Sequence, residues 1–346
     1  MRRLLCPFPY PPLPATDVPD TSDNASFVLA LDPMSPPPGL EHCVVALGNF
    51  DGVHRGHQAV IARAQALARQ LGRPCAVLTF EPHPSDYFAR QAVIFRLTPR
   101  AAKARMLARL GLDGMIVESF DAALASFSAE DFVEEILLRR LGICAAVAGY
   151  DFHFGKSRTG TPEFLAQAGA RLGFAVEIVA KITADAAGSL DAVSSTATRA
   201  ALEAGDVAQA GRLLGHDWFV TGTVIMGRQL GRTLGFPTAN IALDASCKLA
   251  HGIYAVRARV DGVTHKGVVY DGVASFGRRP TFDNGPPLLE VFLFDFAGDL
   301  YGKDMEVTFT DFVRAEARFD DVAALVVQMQ SDVVRARAML ARHAAG

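Results

Sequence analysis

The sequence predicts two folds in series: an α/β domain built on a doubly wound parallel sheet, then a small antiparallel β-barrel closed by a terminal helix. Three observations carry this. Apolar runs alternate with helical segments up to about residue 200, short β-rich runs between turn residues follow, and the last stretch has a helical period. At 346 residues, half of them hydrophobic, the chain is long enough for two cores.

Residues 1–26 are rich in Pro, Asp and Ser without periodicity and read as a disordered extension. From Cys43, apolar runs at 43–47, 75–80, 113–118, 144–150 and 174–180 alternate with helices. Parallel neighbours need crossover connections, so strands separated by helices imply a parallel sheet with ligands at the C-terminal strand ends. Helix starts carry their own signals: Thr98-Pro99 and Thr161-Pro162 set a capping hydroxyl before a proline, and Ser128 with Asp131 forms a capping box. We expect this α/β domain over 27–200 and a helical linker over 201–216.

Past the linker, runs at 218–226, 252–260, 265–276, 288–296 and 304–314 are punctuated by Gly, Asp and Pro, which suggests a barrel over 217–343. Val322, Leu325, Val326, Met329, Val333, Ala336 and Leu340 recur at helical spacing, as in an amphipathic helix laid on that barrel.

A net charge of −3 and a pI near 6.3 argue against nucleic-acid binding. Five scattered cysteines, none in a C-x-x-C pair, suggest neither a disulfide framework nor a zinc site and fit a reducing cytoplasm. No window approaches a membrane span, so a membrane partner is not expected.

The first predicted chemistry lies after the run at 43–47. Gly48-Asn49-Phe50-Asp51-Gly52-Val53-His54-Arg55-Gly56-His57 leads from a strand through a glycine turn into a helix. His54 and His57 share a face at the helix start, beside unpaired N–H groups and the positive end of the helix dipole. Such a place binds phosphate, and two imidazoles there stabilise the charge on a departing pyrophosphate. The alternatives are a surface turn pair or half a zinc site, although a zinc helix wants H-E-x-x-H, which is absent. His83, held between Pro82 and Pro84, is either a structural histidine or a group facing the same crevice. The run from Gly149 to Ser157 imitates a P-loop, but five residues separate Gly149 from Gly155 where that loop needs four.

GNFDGVHRGH resembles the H-x-G-H signature of the nucleotidylyltransferase superfamily. Residues 79–84 (TFEPHP), 96–99 (RLTP), 149–155 (GYDFHFG) and 193–199 (VSSTATR) narrow the resemblance to the prokaryotic bifunctional riboflavin kinase/FAD synthetase family. The likeness runs from about 27 to 343. It implies an N-terminal adenylyltransferase domain that joins FMN to ATP and a C-terminal kinase that makes FMN from riboflavin, with Mg²⁺ for both reactions and FAD as product.

On this resemblance Gly48, Asn49, Phe50 and Gly56 shape the first ATP site beside His54 and His57. Ser194, Ser195, Thr196 and Arg199 close over the ATP phosphates, for which hydroxyls and a guanidinium are suited donors. Without it, that stretch reads as a helix cap and a surface arginine. Asp151 either contacts FMN or nucleotide or caps a strand end. Thr198 and His153 depart from the family's usual residues, as do Ser275 and Phe292 further on.

The second module opens with glycines at spacing four, Gly227, Gly231 and Gly235, then Phe236-Pro237-Thr238-Ala239-Asn240. GFPTAN resembles the riboflavin kinase motif, which implies that Thr238 and Asn240 hold Mg²⁺ and nucleotide phosphate while the loop with Pro237 wraps ATP. Hard oxygen donors are what Mg²⁺ prefers. Arg279 and Arg314 continue the match as nucleotide or flavin contacts. In the strand 288–296, Glu290 shares a face with Phe292 and Phe294. It is either the base that takes the ribityl hydroxyl proton or an exposed rim carboxylate. Two rival readings are a kinase with a degenerate first domain and a flavin-sensing regulator. The intact His54, His57 and Ser-Ser-Thr run oppose the first, and the Thr238/Asn240 pair opposes the second.

Overall fold

The computed structural model describes residues 27–181, 194–227, 230–261, 268–277 and 287–345. The expected 1–26 extension lies outside them. The chain divides into two compact units, one of Met1–Phe95 with Lys103–Val193, the other of Arg96–Ala102 with Ser194–Gly346.

In the first unit β1 (Val28–Leu31), β2 (Val44–Leu47) and α1 (Arg55–Leu71) are followed by β3 (Cys75–Glu81), α2 (Pro84–Ala89), α3 (Arg100–Arg109, part of this unit from Lys103 on) and β4 (Gly114–Ser119). Then come α4 (Ala122–Ser126), α5 (Ala129–Asp131) continuing as a π-helix Phe132–Arg140, β5 (Ala145–Gly149), α6 (Pro162–Leu172) and β6 (Ala175–Val179). The six strands lie in the order β1-β4-β3-β2-β5-β6, all pairing in parallel. This is the expected doubly wound sheet with one strand more, since β1 joins its edge through β4.

Two of the expected caps hold the helix starts. The Thr161 hydroxyl accepts from Phe164 N–H ahead of Pro162, and Ser128 and Asp131 exchange both capping-box bonds. α3 begins at Arg100, just after Pro99. The four inner strands are buried on both faces, with β2 inaccessible along its length, while the edge strands β1 and β6 are partly exposed. One core gathers Val45, Leu47, Leu78, Ile116, Ile136, Leu137 and Leu165. Cys43, Cys75 and Cys144 sit at the N-terminal ends of β2, β3 and β5, and burial pushes the first two thiols up to about 12. They are inert thiols at neutral pH.

The sheet's order sets where a ligand goes. From β2 the chain steps one way to β3 and β4, then returns to place β5 and β6 on the other side of β2. Leu47 and Ala148 are the last partners of the β2–β5 ladder. The loops after these strands, starting at Gly48 and Tyr150, therefore flank the switch point where open α/β sheets bind ligands.

The second unit begins with α7 (Ser195–Glu203) and α8 (Val207–Leu214), then β7 (Phe219–Ile225), α9 (Leu230–Thr233), β8 (Ala239–Ala242), β9 (Gly252–Val260), β10 (Tyr270–Gly277), β11 (Leu288–Leu293), β12 (Asp304–Ala315) and α10 (Val322–Ala345). Its strands close a barrel in the order β10-β11-β8-β7-β12-β9. β8, which starts at the end of the GFPTAN stretch, was not among the five expected runs. Closure removes the open strand edges, and the interior is filled by Trp218, Tyr254, Phe276, Phe309 and the inward residues of β11.

α10 lies on the barrel through its C-terminal half. Ala336 and Leu340 join Ala255, Phe294 and Val313 in one buried cluster, with Val333 and Met339 against it. Val322, expected on the packed face, is 60% exposed. The segment Arg96–Ala102 belongs to this unit through buried contacts. Trp218 Nε1–H donates to Leu97 O at 2.9 Å, and Arg96 N–H donates to Ser246 Oγ at 3.0 Å.

Candidate active sites

In the first unit the loop after β2 turns sharply enough to place Phe50 and Val53 at positive φ, 48° and 44°. For a β-branched valine this is a strained conformation, and such strain concentrates at functional sites. Val53 and Phe50 are buried, which holds the loop in that shape.

His54 is the N-cap of α1, and its Nδ1 accepts from His57 N–H at 3.2 Å. An accepting Nδ1 places the proton of the neutral ring on Nε2, leaving an N–H donor at the helix start. The His57 ring stacks on it with centroids 3.6 Å apart and planes 12° apart, and Phe50 lies 5.1 Å from His57. A side chain at Gly56 would bring its Cβ within 3.1 Å of His54 Cε1, so the glycine lets the imidazole lie against the first turn. The two rings thus form one plate of nitrogen donors at a helix N-terminus, an arrangement that favours anions.

His83 belongs to the same cluster. It caps α2, with Nδ1 accepting from Ser85 N–H at 3.1 Å, and its Nε2 stands 3.4 Å from the Asn49 side-chain amide nitrogen. Asn49 Oδ1 is buried without a hydrogen-bond partner. A half-turn of that amide lets Oδ1 accept from His83 Nε2–H and turns the NH₂ into a donor for a ligand oxygen. Asp151 is exposed in the loop after β5, across the switch point. Gly155-Lys156-Ser157 enters a 3₁₀ turn, Lys156–Arg158, rather than opening a helix as a P-loop does.

Along the same strand ends runs an aromatic shelf that the sequence reading did not single out. Phe88, 67% exposed, meets Tyr87 and Phe120 at 5.3 and 5.7 Å, and Phe120 leads inward to Phe80 at 6.3 Å. The exposed Phe88 ring, held edge-on by two others, offers an apolar face to solvent. At the end of β4, Glu118 is 3% exposed and 3.8 Å from Arg140. Burial, with Asp32 adding repulsion, raises its carboxyl from 4.5 to about 7, against the pull of Arg140.

Ser194, Ser195, Thr196 and Arg199 open α7 in the second unit. Ser194 is the N-cap, its hydroxyl accepting from Ala197 N–H at 3.2 Å. Ser195 and Arg199, one turn apart, share a face. The departure at Thr198 leaves no polar group unsatisfied, because its buried hydroxyl donates to Ser194 O at 3.1 Å. His153 is likewise engaged, its Nδ1 lying 2.8 Å from Asp151 O.

The barrel brings the second set together. Asn240 on β8 is the Cα partner of Glu290 on β11, and Glu290 is in turn partnered by Ser275 on β10. Leu289, Val291 and Leu293 fill the interior, so Glu290 and Phe292 face away from it, half-buried. Gly231 O accepts from Phe236 N–H at 2.8 Å, which closes the glycine loop, and Phe236 sits edge-on to Phe292 at 5.4 Å. The loop therefore borders the Glu290 face. Asn240 is 4% exposed, and a Cβ at Gly227 would fall 2.4 Å from its Nδ2. Only glycine leaves room for that amide. Thr238 is half-buried and Pro237 and Gly235 are exposed in the same stretch. Arg314 is held by both oxygens of Asp332, Nη2 at 2.7 Å and Nε at 2.9 Å, and Nη1 donates to Ala315 O. Arg279 lies outside the described residues.

Comparison with known proteins follows the same division. A family model of FAD synthetase matches residues 37–197, and one of riboflavin kinase matches residues 214–340. The chain is similar to bifunctional riboflavin kinase/FMN adenylyltransferases. It is 41% identical to that of Pseudomonas fluorescens, over 86% of this chain and 93% of the relative. For Haemophilus influenzae the figures are 40%, 86% and 94%, and for Escherichia coli K12 39%, 86% and 92%. Among solved structures it resembles a Streptococcus pneumoniae chain described as a macrolide-efflux protein, with TM-score 0.74, 31% identity and coverage of 90% of this chain and 99% of that one. Among the described residues, no helix is long and apolar enough to cross a membrane.

Proposed function

The chain belongs to the bifunctional riboflavin kinase/FMN adenylyltransferase family, and we propose that its sheet unit carries the adenylyl transfer and its barrel unit the phosphorylation. The enzyme phosphorylates riboflavin to FMN and adenylylates FMN to FAD, with ATP as co-substrate of both steps. The observation that most supports the assignment to units is the stacked His54/His57 plate at a helix N-terminus on the switch point of the sheet. We take 27–200 as the adenylyltransferase domain, 201–216 as the helical linker and 217–343 as the kinase domain.

In the adenylyl transfer an FMN phosphate oxygen attacks the α-phosphorus of ATP in line, and pyrophosphate departs. His54 Nε2–H and His57 donate to the phosphates as charge grows on the leaving group. Gly48, Asn49, Phe50 and Gly56 shape the loop, and the Asn49 amide adds a donor. His83 orients that amide, Asp151 borders the FMN end of the crevice, and the Tyr87/Phe88/Phe120 shelf receives the isoalloxazine ring. Ser194, Ser195, Thr196 and Arg199, at the start of α7, are proposed as ATP-phosphate donors on the family resemblance alone.

In the kinase reaction the ribityl 5′-hydroxyl attacks the γ-phosphorus of ATP, with Glu290 taking its proton. Antiparallel Cα partners stand roughly 4.5–5.5 Å apart, so the base and the Asn240 oxygen flank one small volume. Thr238 and Asn240 suit Mg²⁺: both offer neutral oxygen donors, and the gap left by Gly227 fixes the amide. Bound there, Mg²⁺ would neutralise charge on the transferred phosphoryl group. The loop of Gly227, Gly231, Gly235 and Pro237 wraps the phosphates, while Arg279 and Arg314 contact nucleotide or flavin. Asp332 holds the Arg314 guanidinium rigid, which lowers the entropy its remaining N–H donors lose on binding.

The proposed setting is cytoplasmic, with small molecules as ligands and neither nucleic acid nor membrane as partner. The slightly negative net charge and the unactivated thiols support it. Incubation with riboflavin, ATP and Mg²⁺, followed by chromatography of the flavins, should give FMN first and FAD second, and chelation of the metal should stop both. Either product forming at full rate under chelation would remove Mg²⁺ from the proposal.

A further inference from the structure

A buried ammonium lies directly beneath the phosphate loop. Lys103, on α3, is 1% exposed, yet it is not an isolated charge. Its Nζ donates to Asn49 O at 2.8 Å and to Thr79 Oγ1 at 3.1 Å, and it stands 3.4 Å from Glu81 Oε1. Thr79 Oγ1 in turn donates to the same Asn49 carbonyl at 3.0 Å. One main-chain oxygen of the loop thus receives two side-chain donors, one of them charged, from α3 and β3.

We propose that Lys103 is a positioning residue for adenylyl transfer: it fixes the Asn49 carbonyl, and through it the turn that presents the Asn49 amide, His54 and His57 to the ATP phosphates. The loop needs such a clamp because it runs through two non-glycine residues at positive φ, Phe50 and Val53. Such conformations persist only where the surroundings over-determine them. A charge-assisted bond to a backbone carbonyl is stronger than a neutral one and is well suited to that task. Burying an ammonium is costly unless it is paired and fully hydrogen-bonded, and Glu81 with two oxygen acceptors meets that condition. A lysine retained for solubility would be at the surface, and one retained for packing would not converge with Thr79 on a single loop oxygen.

The inference rests on the reading of this loop as the ATP phosphate site, so His57→Ala is measured beside the Lys103 variants. Steady-state FMN adenylylation and riboflavin phosphorylation are followed on the same full-length protein. Lys103→Met should lower the kcat of adenylylation roughly tenfold to a hundredfold, the scale of a misplacement of about 1 Å. The KM for ATP should move less than about threefold, and the kinase rate should stay at the wild-type value. The loss should be the same size at low and at moderate temperature. A destabilised unit regains activity on cooling, whereas a misplaced loop does not.

Two further variants keep the test decisive should the single change strand Glu81 and unfold the unit. Lys103→Met with Glu81→Gln removes both charges, and Thr79→Val removes one anchor of the Asn49 carbonyl and one acceptor of Lys103 while leaving both charges in place. Both should reduce adenylylation and spare phosphorylation, Thr79→Val by less. Wild-type adenylylation in these variants, a loss that vanishes on cooling, or an equal loss of both activities overturns the proposal. Should His57→Ala leave adenylylation intact, the reading of the loop is what fails, whatever the Lys103 variants do.

Discussion

Asn240 of β8 and Glu290 of β11 are direct partners across an antiparallel ladder, 50 residues apart in sequence and adjacent in the barrel. The metal donor and the base proposed for the phosphoryl transfer thus come from neighbouring strands with a fixed register. Glu290→Gln keeps the shape and a hydrogen-bonding oxygen but cannot take the proton. General bases contribute about a hundredfold to ten-thousandfold. The proton leaves late in a loose transition state, so FMN formation should fall by the lower part of that range. Riboflavin binding, followed by fluorescence titration, and FAD formation from supplied FMN should be unchanged.

Gly227→Ala tests the gap that holds the Asn240 amide. A Cβ there would come within 2.4 Å of Nδ2 and 2.8 Å of Cγ, so the amide must swing away. Kinase turnover should drop by roughly tenfold or more, with a raised requirement for Mg²⁺, while adenylylation of FMN continues. An unchanged Mg²⁺ dependence would show that Asn240 is not a metal donor.

His57→Ala removes half of the stacked imidazole plate. Loss of one oriented donor to a developing charge costs about a hundredfold to a thousandfold in rate. FAD formation should fall by that factor and FMN formation should be spared, as read from initial rates with each flavin supplied separately. Equal loss of both would point to a folding role.

Glu118 predicts a pH dependence of stability. Its carboxyl holds a proton more tightly folded than unfolded, about 7 against 4.5. Between these values the native state binds more protons, so stability falls as pH rises through the window and stays at the lower level above about 7. The effect is at most about 3.5 kcal/mol. Glu118→Gln should flatten this slope and raise the melting temperature at pH 8 more than at pH 4.5; the same increment at both would assign the destabilisation to another group.

What the sequence made legible was local or carried by a motif. The capping box of Ser128 and Asp131 and the Thr161-Pro162 start need only neighbours in the chain. The glycine turn before His54 announces itself by residue type. β1 was not legible, because Val28–Leu31 is a four-residue edge strand whose partner, β4, lies more than 80 residues away. β8 was hidden because its first residues belong to a glycine- and proline-bearing motif that reads as loop. Lys103 looked like any helix lysine, since the carbonyl it clamps becomes visible only after β2, β3 and α3 are assembled. The Phe88 shelf was missed for the same reason: its rings come from β3, from α2 and from the residue after β4.

The central claim, that two chemistries reside at separate sites of one chain, is tested by mixing two proteins that each lack one of the two activities. Glu290→Gln alone, given riboflavin, ATP and Mg²⁺, should make little FMN and hence little FAD, and His57→Ala alone should accumulate FMN. Combined in one tube, they should make FAD, as FMN formed by one variant is adenylylated by the other. A mixture that accumulates FMN without FAD, although the Glu290→Gln protein is folded and FMN is abundant, would contradict the assignment of the two reactions to independent sites.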